Sequence, residues 1–128
     1  MQLLILHLIG DYLLQTEQMA LNKVKSWFWA IFHAGVYSLP FLLVIRTWEA
    51  WAVIFGTHAI IDRFRLANYA CRLKNTFWFG PGRPESDPDT GYSKDTPTYV
   101  KFWLVVIIDN TIHLTINYLA WRYLNNPT

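Results

Sequence analysis

Along the chain, long apolar stretches alternate with short polar joints in a pattern that predicts four helices. Trp27 to Ile45 holds no Asp, Glu, Lys or Arg, and Phe102 to Trp121 holds only Asp109. At about 1.5 Å per residue, each is long enough to cross a hydrocarbon layer of about 30 Å. Met1 to Leu14 and Trp48 to Asp62 are shorter and would need tilt or local thinning of the bilayer. Trp27, Trp29, Trp48, Trp51, Trp103 and Trp121 stand at the ends of these segments, where an interfacial aromatic belt places them. Pro40 predicts a kink in the second helix. Arg63 to Asn75 mixes Arg63, Arg65, Arg72 and Lys74 with Phe64, Leu66, Tyr69 and Leu73, so it either continues the third helix beyond the bilayer or lies along its surface. Gly80-Pro81-Gly82-Arg83-Pro84 and Asp87-Pro88-Asp89-Thr90-Gly91 are turn chemistry. The expectation is an all-α integral membrane four-helix bundle with short first and third helices. Its helices fall at about 1–15, 26–45, 48–72 and 98–123, with one long cytoplasmic loop at about 75–97, in a single membrane domain over 1–128.

Composition narrows the classes without deciding among them. A hydrophobic fraction of 53%, with seven Trp, seven Tyr and eight Phe, is at or above the upper end for soluble proteins. A net charge of +2 gives no electrostatic footprint for nucleic acid. The lone Cys71 excludes an internal disulfide and a CxxC metal knuckle, and it reads as a small packed side chain. The apolar start lacks a basic leader and contains Asp11, so no cleavable signal is expected.

The basic residues orient the bundle. With four crossings, nine of the eleven Lys and Arg fall on one side: Lys23, Lys25, Arg63, Arg65, Arg72, Lys74, Arg83, Lys94 and Lys101. Arg46 and Arg122 alone fall on the other. Positive charge marks the cytoplasmic side, so both termini are expected outside the cytoplasm, in a bacterial inner membrane.

Candidate chemistry enters through three His/Asp pairs at helical spacing: His7-x₃-Asp11, His58-x₃-Asp62 and Asp109-x₃-His113, with His33 completing the histidines. Residues four apart share a helix face, and ionisable groups in apolar helices persist when they face one another, water or a metal. The order is informative. Helices one and three run toward the cytoplasm and read His-then-Asp, whereas helix four runs back and reads Asp-then-His. Each Asp therefore lies on the cytoplasmic side of its His. By helical rise, His33 lies about 9 Å past Trp27 and Asp109 about 10 Å past Phe102. His7, Asp11, His33, His58, Asp62, Asp109 and His113 are the expected metal ligands, around one or two ions of zinc, manganese or iron. Some of the carboxylates would instead orient His rings. Asp11 and His33 are the candidate catalytic groups. Gln15, Arg63, Arg65 and Asn110 are the candidate substrate contacts, and Asn117 and Thr57 are further polar neighbours.

The segments HLIGDYLLQ (7–15), HAIIDRFR (58–65), GYSKDTP (91–97) and DNTIH (109–113) resemble a group of small integral membrane proteins of bacteria and phages, catalogued as a domain of unknown function. That group begins His-x-x-Gly-Asp-x-x-x-Gln and ends with an Asp-x-x-x-His helix. The resemblance spans nearly the whole chain and implies a polytopic membrane protein without assigning an activity. Bacterial membrane-bound metal-dependent hydrolases also place His and Asp on short apolar helices. This chain lacks their Asp-x-Asp-His and His-x-x-x-Thr-His runs, so the likeness is one of analogy.

The pattern supports two classes of function. One is a membrane-embedded metal-dependent hydrolase at the cytoplasmic interface, acting on a lipid or polyprenyl phosphate. The other is a non-enzymatic membrane protein that binds or conducts metal or protons through the cluster, or holds a structural polar network. Bis-histidine haem ligation and a soluble helical protein with a greasy core are further alternatives. The expected partner is membrane lipid, not nucleic acid, and self-association into a homo-oligomer is compatible with the pattern. Reporter fusions at the C-terminus and in the 80–97 loop should report opposite sides of the membrane; both on one side would remove this topology.

Overall fold

The computed structural model describes residues 1–79 and 86–126, apart from the side chains of Trp78 and Phe79. The predicted turn at Gly80-Pro81-Gly82-Arg83-Pro84 lies outside the described residues. Among the described residues the architecture is all-helical, with six α-helices where the sequence pattern predicts four. The chain divides into two compact units, Met1–Phe64 with His113–Thr128, and Arg65–Ile112.

In the first unit, α1 (Gln2–Leu8) runs without a break into a π turn, Ile9–Leu13. A separate short helix, α2 (Glu17–Asn22), comes next. It starts at Thr16, whose Oγ1 accepts the Met19 N–H at 3.3 Å while the Thr16 N–H meets Met19 Sδ at 3.4 Å. This reciprocal cap satisfies two backbone donors, much as a capping box does, and it marks a helix inside a stretch that the hydropathy pattern shows only as a joint. Helix α3 (Trp27–Ser38) then tightens into a 3₁₀ turn at Leu39–Leu43, with Pro40 in its first turn. Proline lacks an N–H and its ring crowds the carbonyl four residues back, so the expected kink takes the form of a change of helix type.

Helix α4 (Trp48–Phe64) stops at Arg65, whose φ of 52° is left-handed. That conformation ends a right-handed helix. The expected helix over 48–72 is therefore two helices, and α5 (Leu66–Phe79) extends into the region expected to be loop. Helix α6 (Thr98–Leu124) begins after Pro97, whose carbonyl accepts the N–H groups of Val100 and Lys101. It is long and apolar enough to cross a membrane; Gln2–Leu13 and Trp27–Leu43 are apolar but shorter.

The buried face of the first unit is polar at one end and apolar at the other. On α3 the buried stripe is Ala30, His33, Ala34, Tyr37 and Ser38, and on α4 it includes Ala50, Ile54, His58, Ala59 and Asp62. On α6 it is His113, Asn117 and Ala120. These are helical stripes, with spacings of three and four. The apolar end joins Leu6, Phe41, Ile45, Ala50, Ile54 and Ala120 around the ring of Tyr37. The outward faces are apolar: Trp27, Phe28, Ile31 and Phe32 on α3, and Tyr118, Leu119 and Trp121 on α6, are all exposed.

In the second unit, α5 packs against the 86–97 segment. Asn75 Nδ2 donates to the Thr90 carbonyl at 2.9 Å, and Lys74 Nζ to the Tyr92 hydroxyl at 3.1 Å. Gly91 has φ +69°, and a Cβ there would stand 3.3 Å from Arg72 Cα and Asn75 Cβ, so glycine serves both the turn and the contact. Asp87 closes the turn, accepting from Asp89 N, Thr90 N and Thr90 Oγ1. The Thr90 N–H holds its carboxyl below the usual carboxylate range, as hydrogen bonds to a carboxylate do. Cys71 is fully buried beside the Tyr92 hydroxyl, and burial pushes its thiol up, in keeping with a packed, unreactive role.

Gly10 sets the closest crossing in the first unit. A Cβ on it would fall 2.6 Å from Tyr37 Cδ2 and 2.8 Å from the Tyr37 carbonyl oxygen, and backbone cannot yield as a side chain can. Gly10→Ala should therefore destabilise the protein by about 1–3 kcal/mol, the usual cost of overpacking. Thermal unfolding in mild detergent measures this, and a variant as stable as the wild type would show that the crossing is loose.

Candidate metal centre

Three helical segments of the first unit deliver four side chains to a common point. The π turn brings Asp11, α3 brings His33, and α4 brings His58 and Asp62 one turn apart, while α1 and α6 add His7 and His113 alongside. A π turn carries an extra residue and re-aims the residues after it, and such turns recur at functional sites. Here it turns Asp11 inward directly after Gly10. All six side chains are buried, with His7 and His33 fully inaccessible.

The inner geometry is tight. His33 Nε2 and His58 Nε2 lie 3.0 Å apart. Asp11 Oδ1 is 3.2 Å from His33 Nε2 and 3.4 Å from His58 Nε2, and Asp62 Oδ2 is 3.2 and 3.1 Å from the same two atoms. Even with the Lys23 ammonium 2.8 Å from Asp62 Oδ2, protons leave part of this set unmet. A neutral imidazole carries a single N–H, and an ionised carboxylate carries none. If one Nε2 donates to the other, the second has no proton left for either Asp. A cation placed among the four atoms meets all their lone pairs at once. Tetrahedral ligands about 2.0–2.1 Å from an ion are separated by roughly 3.3 Å, close to the five distances found. Asp11, His33, His58 and Asp62 therefore form a buried cluster that can hold a metal ion.

A second layer orients these groups. His113 Nδ1 lies 3.2 Å from His58 Nδ1, and His113 Nε2 lies 3.5 Å from Asp62 Oδ1. His7 Nε2 lies 3.7 Å from Asp11 Oδ2, and its Nδ1 is 2.9 Å from the Tyr37 hydroxyl. Asn117 Nδ2 donates to that hydroxyl at 2.6 Å. The Tyr37 ring stacks on His58, with centroids 3.5 Å apart and planes at 11°. Partners of this kind fix ring rotation and tautomer.

Lys23 closes one side. Its Nζ stands 2.8 Å from Asp62 Oδ2, 2.7 Å from Gln15 Oε1 and 3.5 Å from His33 Nε2. Arg63 secures the same segment: Nη1 donates to the Val24 carbonyl at 2.6 Å and its guanidinium lies 5.7 Å over the Trp27 ring. Sequence reasoning missed Lys23 as a site residue, because a lysine in a polar joint reads first as a topology signal. The Thr57 hydroxyl turns back onto its own helix, to the Val53 carbonyl. Asp109 and Asn110 stand on α6 one turn before His113 and belong, with Arg65, to the second unit.

The chain belongs to the DUF3307 family of proteins of unknown function. The family's profile matches residues 1–126, in agreement with the resemblance carried by the His-x-x-Gly-Asp and Asp-x-x-x-His motifs. No curated protein and no solved structure matches the chain.

His58→Ala removes a donor from the inner four and should abolish metal retention. His113→Ala removes a supporting contact and should weaken retention by about 10- to 100-fold, as loss of an outer partner does elsewhere. Elemental mass spectrometry on matched detergent extracts reads both; wild-type metal content in His58→Ala would exclude this donor set.

Proposed function

We propose that the protein is a membrane-embedded, metal-dependent hydrolase whose site faces the cytoplasmic interface, and that its substrate is a lipid or polyprenyl phosphate. The observation that carries the metal assignment is the inner set of two Nε2 atoms 3.0 Å apart, each 3.1–3.4 Å from two carboxylate oxygens, with more lone pairs than protons.

The membrane reading rests on inverted amphipathicity. His, Asp, Asn and Ser side chains are buried beside an apolar cluster, while Trp, Phe, Ile and Leu side chains face outward. In water such exposed apolar faces are unfavourable; in lipid they are expected. Helix α6 adds to this. Only 6% of its apolar window is buried, unlike the core helix of a soluble protein.

Held by Asp11, His33, His58 and Asp62, a divalent zinc, manganese or iron ion would supply Lewis acidity toward a phosphoryl oxygen and would make water a better nucleophile at neutral pH. The chain's own groups supply the rest. Asp11 presents Oδ1 to the inner set and leaves Oδ2 beside His7, so it can take a proton from the attacking water as general base. His33 binds through Nε2. Two carboxylates against one lysine leave the site with one negative charge, and a divalent ion changes that to one positive charge. An anionic substrate then docks at the Lys23 and Gln15 side. Water adds to phosphorus, the ester P–O bond breaks, and the alcohol oxygen leaves with the electron pair. The basic residues Arg63 and Arg65 stand on the same cytoplasmic side, where they favour anionic head groups.

The relay reading has less support. A conduction path would have to continue past Tyr37 and Asn117, where Leu6, Phe41, Ile54 and Ala120 form an apolar cluster and the nearby Ser38 hydroxyl is turned back onto the Gly35 carbonyl.

The test is elemental analysis of detergent-purified protein, then phosphate release from a panel of lipid and polyprenyl phosphates with and without chelator. Lys23→Met should keep its metal and lose affinity for the anionic substrate, seen as a raised KM. A wild type that holds no metal after metal-supplemented purification would leave the structural or relay reading in place.

A further inference from the structure

At the far end of the first unit, away from the metal centre, lies a cavity of about 460 Å³ lined by Gln2, Leu43, Val44, Arg46, Trp121, Arg122, Asn125 and Asn126. Three helices give its distance from the centre. Gln2 precedes Asp11 by nine residues, Arg122 comes nine after His113, and Arg46 precedes His58 by twelve. At about 1.5 Å per residue, the separation is roughly 13–18 Å. The apolar layer of Leu6, Phe41, Ile54 and Ala120 lies between, so the cavity is not an entrance to the centre.

Its lining is unusual for this chain. Arg46 and Arg122 are the two basic residues that the charge pattern assigns to the outer side, and both line this one cavity. Among the described residues, neither guanidinium has a carboxylate within ion-pair distance. Each has an ordinary explanation alone: Arg122 sits in the last turn of α6, where a cation complements the helix dipole, and Arg46 can extend to an interface. Neither explanation accounts for their convergence. The frame around them is fixed. Asn125 Oδ1 accepts the Arg46 backbone N–H, Asn125 Nδ2 donates to the Val44 carbonyl, and Thr47 Oγ1 donates to the Leu124 carbonyl. The Gln2 and Asn126 amides add hydrogen-bond donors.

Two apolar grooves adjoin the cavity through shared residues. One, of about 240 Å³, is lined by Met1, Gln2, Leu3, Tyr118 and Trp121. The other, of about 390 Å³, is lined by Leu42, Ile45, Arg46, Thr47, Trp48 and Trp51. A cationic, amide-rich cup between two aromatic-edged apolar grooves has the form of a phosphate head and two acyl chains.

We propose that this end of the protein binds an anionic phospholipid of the outer leaflet, with its phosphate on Arg46 and Arg122 and its chains in the two grooves. Paired guanidinium groups suit phosphate oxygens because their N–H forks match that geometry. The site rests on the membrane reading and is independent of the metal.

The test is native mass spectrometry of detergent-purified protein, titrated with dioleoyl phosphatidic acid, dioleoyl phosphatidylcholine, dioleoylglycerol or inorganic phosphate. Phosphatidic acid should bind at least tenfold more tightly than the zwitterionic and uncharged lipids. Arg46→Gln and Arg122→Gln should each remove most of that preference, and Arg46→Lys should restore part of it. Arg72→Gln, on α5, should change nothing. Helical circular dichroism and a single symmetric peak on size exclusion serve as the check that each variant is folded. Inorganic phosphate competing at low millimolar concentration would support the phosphate cup with free anion as a second source. Phosphatidic acid binding no better than phosphatidylcholine, or Arg variants that bind like wild type, would overturn the site. A protein that purifies without detergent would instead overturn the membrane reading, so the two failures are distinguishable.

Discussion

Burying more lone pairs than protons is the constraint on which the first unit depends. Two imidazole nitrogens lie 3.0 Å apart and 3.1–3.4 Å from two carboxylate oxygens, and buried carboxylates are costly in any low-dielectric interior unless paired. Everything adjacent serves to hold that arrangement. Small residues at Ala30, Ala34 and Ala59, all buried, let helix backbones approach closely. Gly10 permits the tightest approach, over the Tyr37 backbone. The π turn that begins beside it converts a helix that would carry Asp11 past the centre into one that delivers it.

The electrostatics are asymmetric in a useful way. Lys23 partly offsets the two carboxylates from one side only, reaching Asp62 and Gln15, while His7, His113 and Tyr37 cover the deeper side without a permanent charge. Arg63 fixes the Lys23 segment by its bond to Val24. Arg63 thus acts first on chain geometry, and any contact with a head group would come second.

Much of this was legible in the sequence because His and Asp recur at a spacing of four on stretches that otherwise lack charge. His58 and Asp62 meet as that spacing implies, and His33 joins them from α3. The pattern could not show helix type. A π turn at Ile9–Leu13 and a 3₁₀ turn at Leu39–Leu43 leave hydropathy unchanged, so only Pro40 hinted at the second. The break at Arg65 was hidden for a different reason. Its left-handed backbone occurs at a residue type with no preference for it, inside a run whose amphipathic pattern continues into α5. Lys23 escaped notice because its role comes from tertiary proximity, not from any periodicity shared with its ligands. The cap at Thr16 uses a Met where a Glu or Gln would have signalled it.

The two ends of the first unit answer the same problem with opposite chemistry. At one end, acidic and imidazole groups gather where a metal ion could be held; at the other, two arginines gather with amides and, among the described residues, no acid. Between them, Phe41 and Ile54, both fully buried, belong to an apolar cluster. A chain this short can hold two polar sites of opposite charge in one apolar bundle only if they stay apart. Their Coulomb attraction would otherwise draw Arg46 or Arg122 into the carboxylates and fill the metal position with a guanidinium. The apolar layer therefore does more than pack the helices. It keeps the inner donors available for a cation that arrives from outside the chain.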